Sequence, residues 1–125
     1  VLPPDFIREK FLPASIERPN WTGLWIFDTS HTLVGSGGFK DQPDEFGVVE
    51  IGYGIAPAHQ NRGAATFLCG QLVQWAICHG AKKVIAHTLP DGAASQAVLK
   101  KNGFIKTDEY EDPEDGWVWR WERED

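Results

Sequence analysis

The stretch from Val48 to Gly63 constrains the fold of this chain more than any other. Val48–Ile55 (VVEIGYGI) alternates in period two. Val49, Ile51, Tyr53 and Ile55 share one face; Val48, Glu50, Gly52 and Gly54 share the other. A strand is expected, with one face in the core and the other almost bare around a carboxylate. The polar segment Ala56–Arg62 (APAHQNR) follows, Gly63 closes it, and a helical pattern begins at once. Ala65, Leu68, Leu72 and Ala76 recur at helical spacing beside Phe67, Val73 and Ile77, which predicts a helix over Ala64–His79 ended by Gly80. A strand that runs through one loop into an amphipathic helix must bury both elements against further layers, so the fold class is α/β.

The flanking segments extend that pattern. Trp21–Asp28 and Thr32–Phe39 read as strands joined by a turn at Thr29–His31, the second loosened by glycines. Lys83–Thr88 (KVIAHT) is the next strand. Asp91 is placed to N-cap a second helix running to Lys101, which Asn102-Gly103 ends. Phe104–Tyr110 and Trp117–Trp121 form a hairpin around Glu111–Gly116. Residues 1–20 hold four prolines; a short helix over Asp5–Phe11 is expected there, and otherwise loop. The order β-β-β-α-β-α-β-β implies one domain over residues 1–125, with a mixed sheet and packed helices.

Composition excludes several classes. The 125 residues carry a net charge of −6, unsuited to nucleic acid, where a basic footprint dominates affinity. Negative clefts attract amines, a weak pointer to a cationic partner. No apolar run of about 18 residues is present, so no membrane span is expected. The chain contains no Met, and no basic segment leads into an apolar one, so no secretory signal is expected within it. Cys69 and Cys78 fall on one predicted helix, about 13 Å apart along its axis. A disulfide needs Cα atoms within about 7 Å, so two free thiols and a reducing, cytoplasmic compartment are expected. Neither cysteine has metal-ligand spacing, and no metal site is expected.

The chemistry concentrates at the strand-to-helix loop. The first amides of a helix lack internal acceptors and attract anions. Small residues at Gly63, Ala64 and Ala65 leave room for a phosphate, and Arg62 adds charge. The segment is neither a Walker loop nor a Gly-x-Gly-x-x-Gly turn. A capped turn with no ligand fits these residues equally well.

Gln60-Asn61-Arg62-Gly63-Ala64-Ala65 resembles the Gln/Arg-x-x-Gly-x-Gly/Ala motif of GNAT N-acetyltransferases, which holds the pyrophosphate of acetyl-CoA. Glu50–Pro57 resembles the central strand of that family, in the branch with ribosomal-protein N-terminal acetyltransferases. Ser95–Phe104 resembles the second helix and Gly-Phe exit of that branch. The three stand in the family's order from about Val34 to Phe104. The resemblance implies a mostly antiparallel central sheet, helices on both faces, and a splay at the cofactor strand. It implies acetyl-CoA as cosubstrate, bound by Tyr53, Gly54 and Ile55 and by Gln60, Asn61, Arg62, Gly63, Ala64 and Ala65. It also implies an amine acceptor, either a small molecule or a protein N-terminus, with a homodimer as one assembly. Three features depart from the pattern. Gly92 stands where many relatives have Asn, Leu99 where another branch has a tyrosine acid, and the leading helices are compressed into residues 1–20.

Amine acetylation needs a neutral amine. A lysine-like amine, of ordinary pKa about 10.4, is neutral at pH 7 in only about one molecule in several thousand, so a base helps. Glu50, on the glycine side of its strand, is the first candidate and His87 its rival. His59 reads as solvent-facing and His31 as a turn residue. Ser95 is the candidate proton donor to the thiolate; Tyr110 and Tyr53 are looser options. Trp117, Trp119 and Trp121 share one strand face, read as covered by helices or as an aromatic binding strip. Three functions fit: an amine acetyltransferase, a CoA-binding regulator without turnover, and an aromatic-faced binding module.

Overall fold

The computed structural model describes residues 7–11 and 23–28 by their main chain, and 33–57, 60 and 63–124 in full. Along the chain run β1 (Ile7–Phe11), β2 (Gly23–Asp28), β3 (Leu33–Phe39), β4 (Val48–Ile55), α1 (Ala64–Cys78), β5 (Lys83–Thr88), α2 (Ala93–Lys101), β6 (Ile105–Asp112) and β7 (Gly116–Glu124). These strands make one sheet in the order β1-β2-β3-β4-β5-β7-β6. Every neighbouring pair is antiparallel except β4–β5. That parallel pair is the one α1 connects, as a crossover requires.

The apolar face of β4 forms the centre of the core. Val49 and Ile51 pack with Phe67, Leu68, Leu72, Val73 and Ala76 of α1, with Val84 and Ala86 of β5, and with Leu99, Phe104 and Trp121. At Gly37 the sheet and α1 approach too closely for a side chain: a Cβ there would lie 2.8 Å from Cβ of Tyr53 and 2.9 Å from Cδ1 of Leu72. The indole of Trp121 donates to Oγ1 of buried Thr88 at 2.9 Å, which satisfies the one polar atom it brings inside.

Both helices cover the same face. Asn102, at the end of α2, donates from Nδ2 to the Thr66 carbonyl of α1 at 3.2 Å. Handedness explains this. The steps β4–α1–β5 and β5–α2–β6 cross the sheet in one direction, and right-handed crossovers then put both helices on one side. The expectation of helices on both faces is therefore met on one face only among the described residues. The other face carries Glu50, His87, Arg120 and Glu122.

Two further expectations change, and one open alternative is narrowed. Ile7–Phe11 is a strand paired with β2, from Ile7 opposite Asp28 to Phe11 opposite Leu24. A helix that short cannot repay its nucleation, whereas an edge strand gains a full ladder. Asp91 does not cap α2; Gly92 is the N-cap residue and no side chain caps it. The preceding turn is instead tied by Gln96, whose Nε2 donates to the Leu89 and Pro90 carbonyls. Finally, the three indoles of β7 do not make a continuous exposed strip. Trp121 is buried, Trp119 is half-buried and Trp117 is exposed.

Candidate active site

The main-chain ladder between β4 and β5 sets the geometry. It pairs Val48 with Lys83, Val49 with Val84 and Glu50 with Ile85, then stops. β4 runs on to Ile55 while its other edge stays paired with β3, from Phe39 opposite Ile51 to Gly35 opposite Ile55. The two strands fork directly after Glu50. The β5-facing main-chain groups of Tyr53 and Ile55 thus lie beyond the ladder among the described residues, and the Ile55 carbonyl accepts instead from Nε2 of Gln60 at 3.2 Å.

A cleft of about 570 Å³ opens into the fork, lined by Tyr53, Gly54 and Ile55 of β4, Gln60 and Gly63 of the loop, and Ser95 of α2, among others. Gly63 is the N-cap of α1 in the left-handed conformation, φ 82°, which glycine adopts without strain. The first bond of the helix runs from Phe67 N–H to the Gly63 carbonyl at 3.1 Å. The amides of Ala64, Ala65 and Thr66 are left without intrahelical acceptors, and no side chain caps them. Ala65 and Thr66 line the cleft, whereas Ala64 is buried in the core. The Tyr53 hydroxyl is a buried donor with no partner among the described residues. Burial first, and nearby Cys69 second, push its phenol well above the ordinary range.

The opposite face of the fork holds a chain of polar side chains. Oε2 of Glu50 accepts from Nδ1 of His87 at 2.9 Å and from Nζ of Lys40 at 2.9 Å. Nε2 of His87 meets the Tyr110 hydroxyl at 2.7 Å, with the two rings edge-on at 5.8 Å. Burial by itself would raise the Glu50 carboxyl, but hydrogen bonds from His87 and Lys40 and the charges of both hold it below the usual carboxylate range. Lys40 is 60% exposed, and an ion pair to so exposed a cation contributes about 0–1 kcal/mol. His87, only 21% exposed, is the stronger anchor. Beyond Glu50 the same face of β4 is open among the described residues. A Cβ at Gly54 would meet nothing within 4 Å, and one at Gly52 only Cε of Lys40 at 3.6 Å.

Of the residues expected from sequence, Tyr53, Gly54, Ile55, Gln60, Gly63, Ala65 and Ser95 are brought together around the cleft. Asn61 and Arg62, like His31 and His59, lie outside the described residues. Glu50 and His87, expected as rivals, are hydrogen-bonded to each other. Ser95 sits exposed at the start of α2 and makes no hydrogen bond among the described residues. The sequence reading missed Lys40 and gave Tyr110 no link to His87. Alternation could have placed Lys40 at the end of its strand. The Tyr110 contact is made across β7 and leaves no local signal.

The acetyltransferase (GNAT) domain profile matches residues 3–105. An uncharacterised N-acetyltransferase of Bacillus subtilis, YjdG, is 33% identical over 84 residues, which is 65% of this chain and 50% of that protein. The chain thus spans half the length of that relative. Among solved structures, a ribosomal-protein-S5-alanine acetyltransferase of Vibrio fischeri superposes with a TM-score of 0.77 at 16% identity, over 84% of this chain and 62% of that one. A Vibrio cholerae spermidine N-acetyltransferase chimera gives 0.78 at 16% identity, over 87% and 69%. The acetyltransferase yncA of Salmonella typhimurium, solved with its cofactor acetyl-CoA, gives 0.72 at 22% identity, over 83% and 64%. These likenesses show the fold, and with the profile match over most of its length the chain belongs to the GNAT acetyltransferase family.

Proposed function

We propose that this protein is an acetyl-CoA-dependent N-acetyltransferase, which passes an acetyl group to a primary amine by direct attack. The observation that carries this reading is the fork. A cleft with an uncapped helix start lies on its helix side, and an ionised carboxylate stands at its vertex on the other side. Cosubstrate and amine can then approach from opposite faces and meet in the gap.

The cleft fits the cosubstrate chemically. Its pyrophosphate suits the amides that open α1, an anion site by construction, with Gln60 at the cleft wall and Asn61 and Arg62 next in sequence. The unpaired β4 edge at Tyr53 and Ile55, on either side of Gly54, offers main-chain groups to a pantetheine arm. Acetyl-CoA supplies the activated acyl group. The residues of this chain bind it, orient the amine and move protons. Ser95, at the cleft wall, is the candidate donor to the departing thiolate.

The amine is a small molecule or a protein N-terminus, and the chain acts in the cytoplasm, with no nucleic-acid or membrane partner and a homodimer as one assembly. The net charge of −6 and the free Cys69 and Cys78 are consistent with this. The test is thiol release from acetyl-CoA with a panel of amines that includes spermidine and a peptide beginning with alanine. Acetyl-CoA binding without release for any amine points to a CoA-binding regulator instead. No binding by calorimetry removes the reading. A variant sharpens it: Ala65→Glu places a carboxylate in the first turn of α1, which favours the helix but repels a pyrophosphate. It should lower acetyl-CoA affinity by about tenfold or more without lowering the unfolding midpoint.

A further inference from the structure

The side chains on the open face form a polarised chain, and its direction follows from chemistry. Ionised Glu50 can only accept hydrogen bonds. The proton between it and His87 therefore belongs to Nδ1, at 2.9 Å from Oε2. When His87 is neutral its lone pair lies on Nε2, and the Tyr110 hydroxyl, at 2.7 Å, is then the donor. The order is carboxylate, imidazole, hydroxyl, each group fixing the next, as in the triads that activate a hydroxyl for proton transfer. It spans β4, β5 and β6 across the sheet.

We infer that Tyr110 is a catalytic residue of this site: the proton of the acceptor amine leaves through its hydroxyl to His87, and Glu50 is a positioning residue rather than the base. The inference rests on the acetyl-transfer reading above. A proton entering at Glu50 stops there, because Nδ1 already carries one. A proton entering at Tyr110 lets that residue pass its own to Nε2, and the resulting imidazolium is paired at once with the Glu50 carboxylate. Tyr110 is 38% exposed, so its side chain opens to solvent on this face. In the transfer the C–N bond forms and the C–S bond breaks. The amine proton moves to Tyr110 as the Tyr110 proton moves to His87. The thiolate takes its proton from Ser95, solvent restores the serine, and the imidazolium sheds one proton to solvent through Tyr110, so the net result is one proton carried from nitrogen to sulfur.

Several charged and titratable groups face His87. They are Glu50 on β4, Lys40 just after β3, Tyr110 and Asp112 on β6, and Arg120, its register partner on β7. Their combined effect is measured directly by nitrogen-15 resonances of the His87 ring, assigned by loss in His87→Gln. Wild type is expected to show the Nδ1–H tautomer with Nε2 unprotonated at neutral pH, and Glu50→Gln to show a mixture of tautomers. This readout needs neither cosubstrate nor acceptor.

Turnover supplies the second readout, with the amine that releases thiol fastest in the panel. Tyr110→Phe keeps the ring against His87 and loses only the hydroxyl. It should lower kcat by about 10²-fold, within the range for a positioned acid–base group, with KM for acetyl-CoA within about twofold of wild type. Adding Tyr110→Phe to Glu50→Gln should cost little more than either alone, because members of one relay are not additive. An Nε2–H tautomer in wild type overturns the inference. So does Tyr110→Phe with near-wild-type kcat while Glu50→Gln is impaired, which makes the carboxylate the base and leaves acetyl transfer standing. No thiol release with any amine overturns the transfer reading and the role of Tyr110 together.

Discussion

The two faces of the sheet at β4 are held by different physics. On the helix face, Val49 and Ile51 are sealed against Leu68, Leu72 and Val84 with almost no exposure. On the other face, one residue out of step, Glu50 binds His87 and Lys40, and Gly52 and Gly54 leave open space. A second ionic clip lies further along that face. Glu122 of β7 accepts from Lys83 of β5 at 2.8 Å, from Thr107 of β6 at 2.9 Å and from Arg120 at 3.0 Å. Apolar burial gives the helix face its stability, while the polar face contributes little to stability and carries the reactive groups. One strand serves both because its side chains alternate.

This contrast is open to direct attack. The largest effect should come from Glu50→Gln, which is expected to lower turnover by about 10²–10⁴-fold while leaving acetyl-CoA affinity and the unfolding midpoint nearly unchanged. A pH–rate profile checks it. Raising pH should partly rescue the variant with an α-amine, which becomes neutral near pH 8, and do less for a lysine-like amine. A fall in stability comparable to a core deletion would erase the division between the faces.

On the helix face, Leu72→Ala should cost about 2–5 kcal/mol in denaturant unfolding, the range for an emptied core site. Its turnover per folded molecule should stay near wild type. Gly37→Ala should cost about 1–3 kcal/mol or more, because its Cβ would lie 2.9 Å from the Gly52 carbonyl and 2.8 Å from Cβ of Tyr53, so the main chain must shift as well as Leu72. Gly54→Ala, on the open face, should stay within about 0.5 kcal/mol of wild type. A large loss at Gly54 would show that this face is more tightly filled than its geometry indicates.

The smallest effect should be that of acid on the ionic clip. Hydrogen bonding from Lys83 first, working against partial burial and joined by Thr107, Arg120 and the Lys83 charge, holds the Glu122 carboxyl down at about 2 instead of 4.5. A depressed carboxylate contributes stability above its unfolded pKa and loses it as pH falls through the folded one. The contribution should thus be complete above about pH 4.5 and vanish toward pH 2. Glu122→Gln should flatten the acid side of the stability profile between those values, and unfolding midpoints measured across that span check it. An unchanged slope would assign the acid response to other carboxylates.

The sequence by itself determined the order of elements from β2 to β7, the core face of β4 and the start of α1 at Gly63. All of these follow from local periodicity or from residues adjacent along the chain. β1 was not legible, since five residues with weak preference take the structure their neighbour offers. The placing of both helices on one face was not legible either, because crossover direction depends on β7 inserting between β5 and β6. Only the tertiary structure joined Glu50 to His87 and His87 to Tyr110. These residues come from three strands, 37 and 23 positions apart. Their meeting depends on where the β4–β5 ladder stops and on the register of the hairpin. Alternation tells which way a side chain points, but strand order and register decide what it meets.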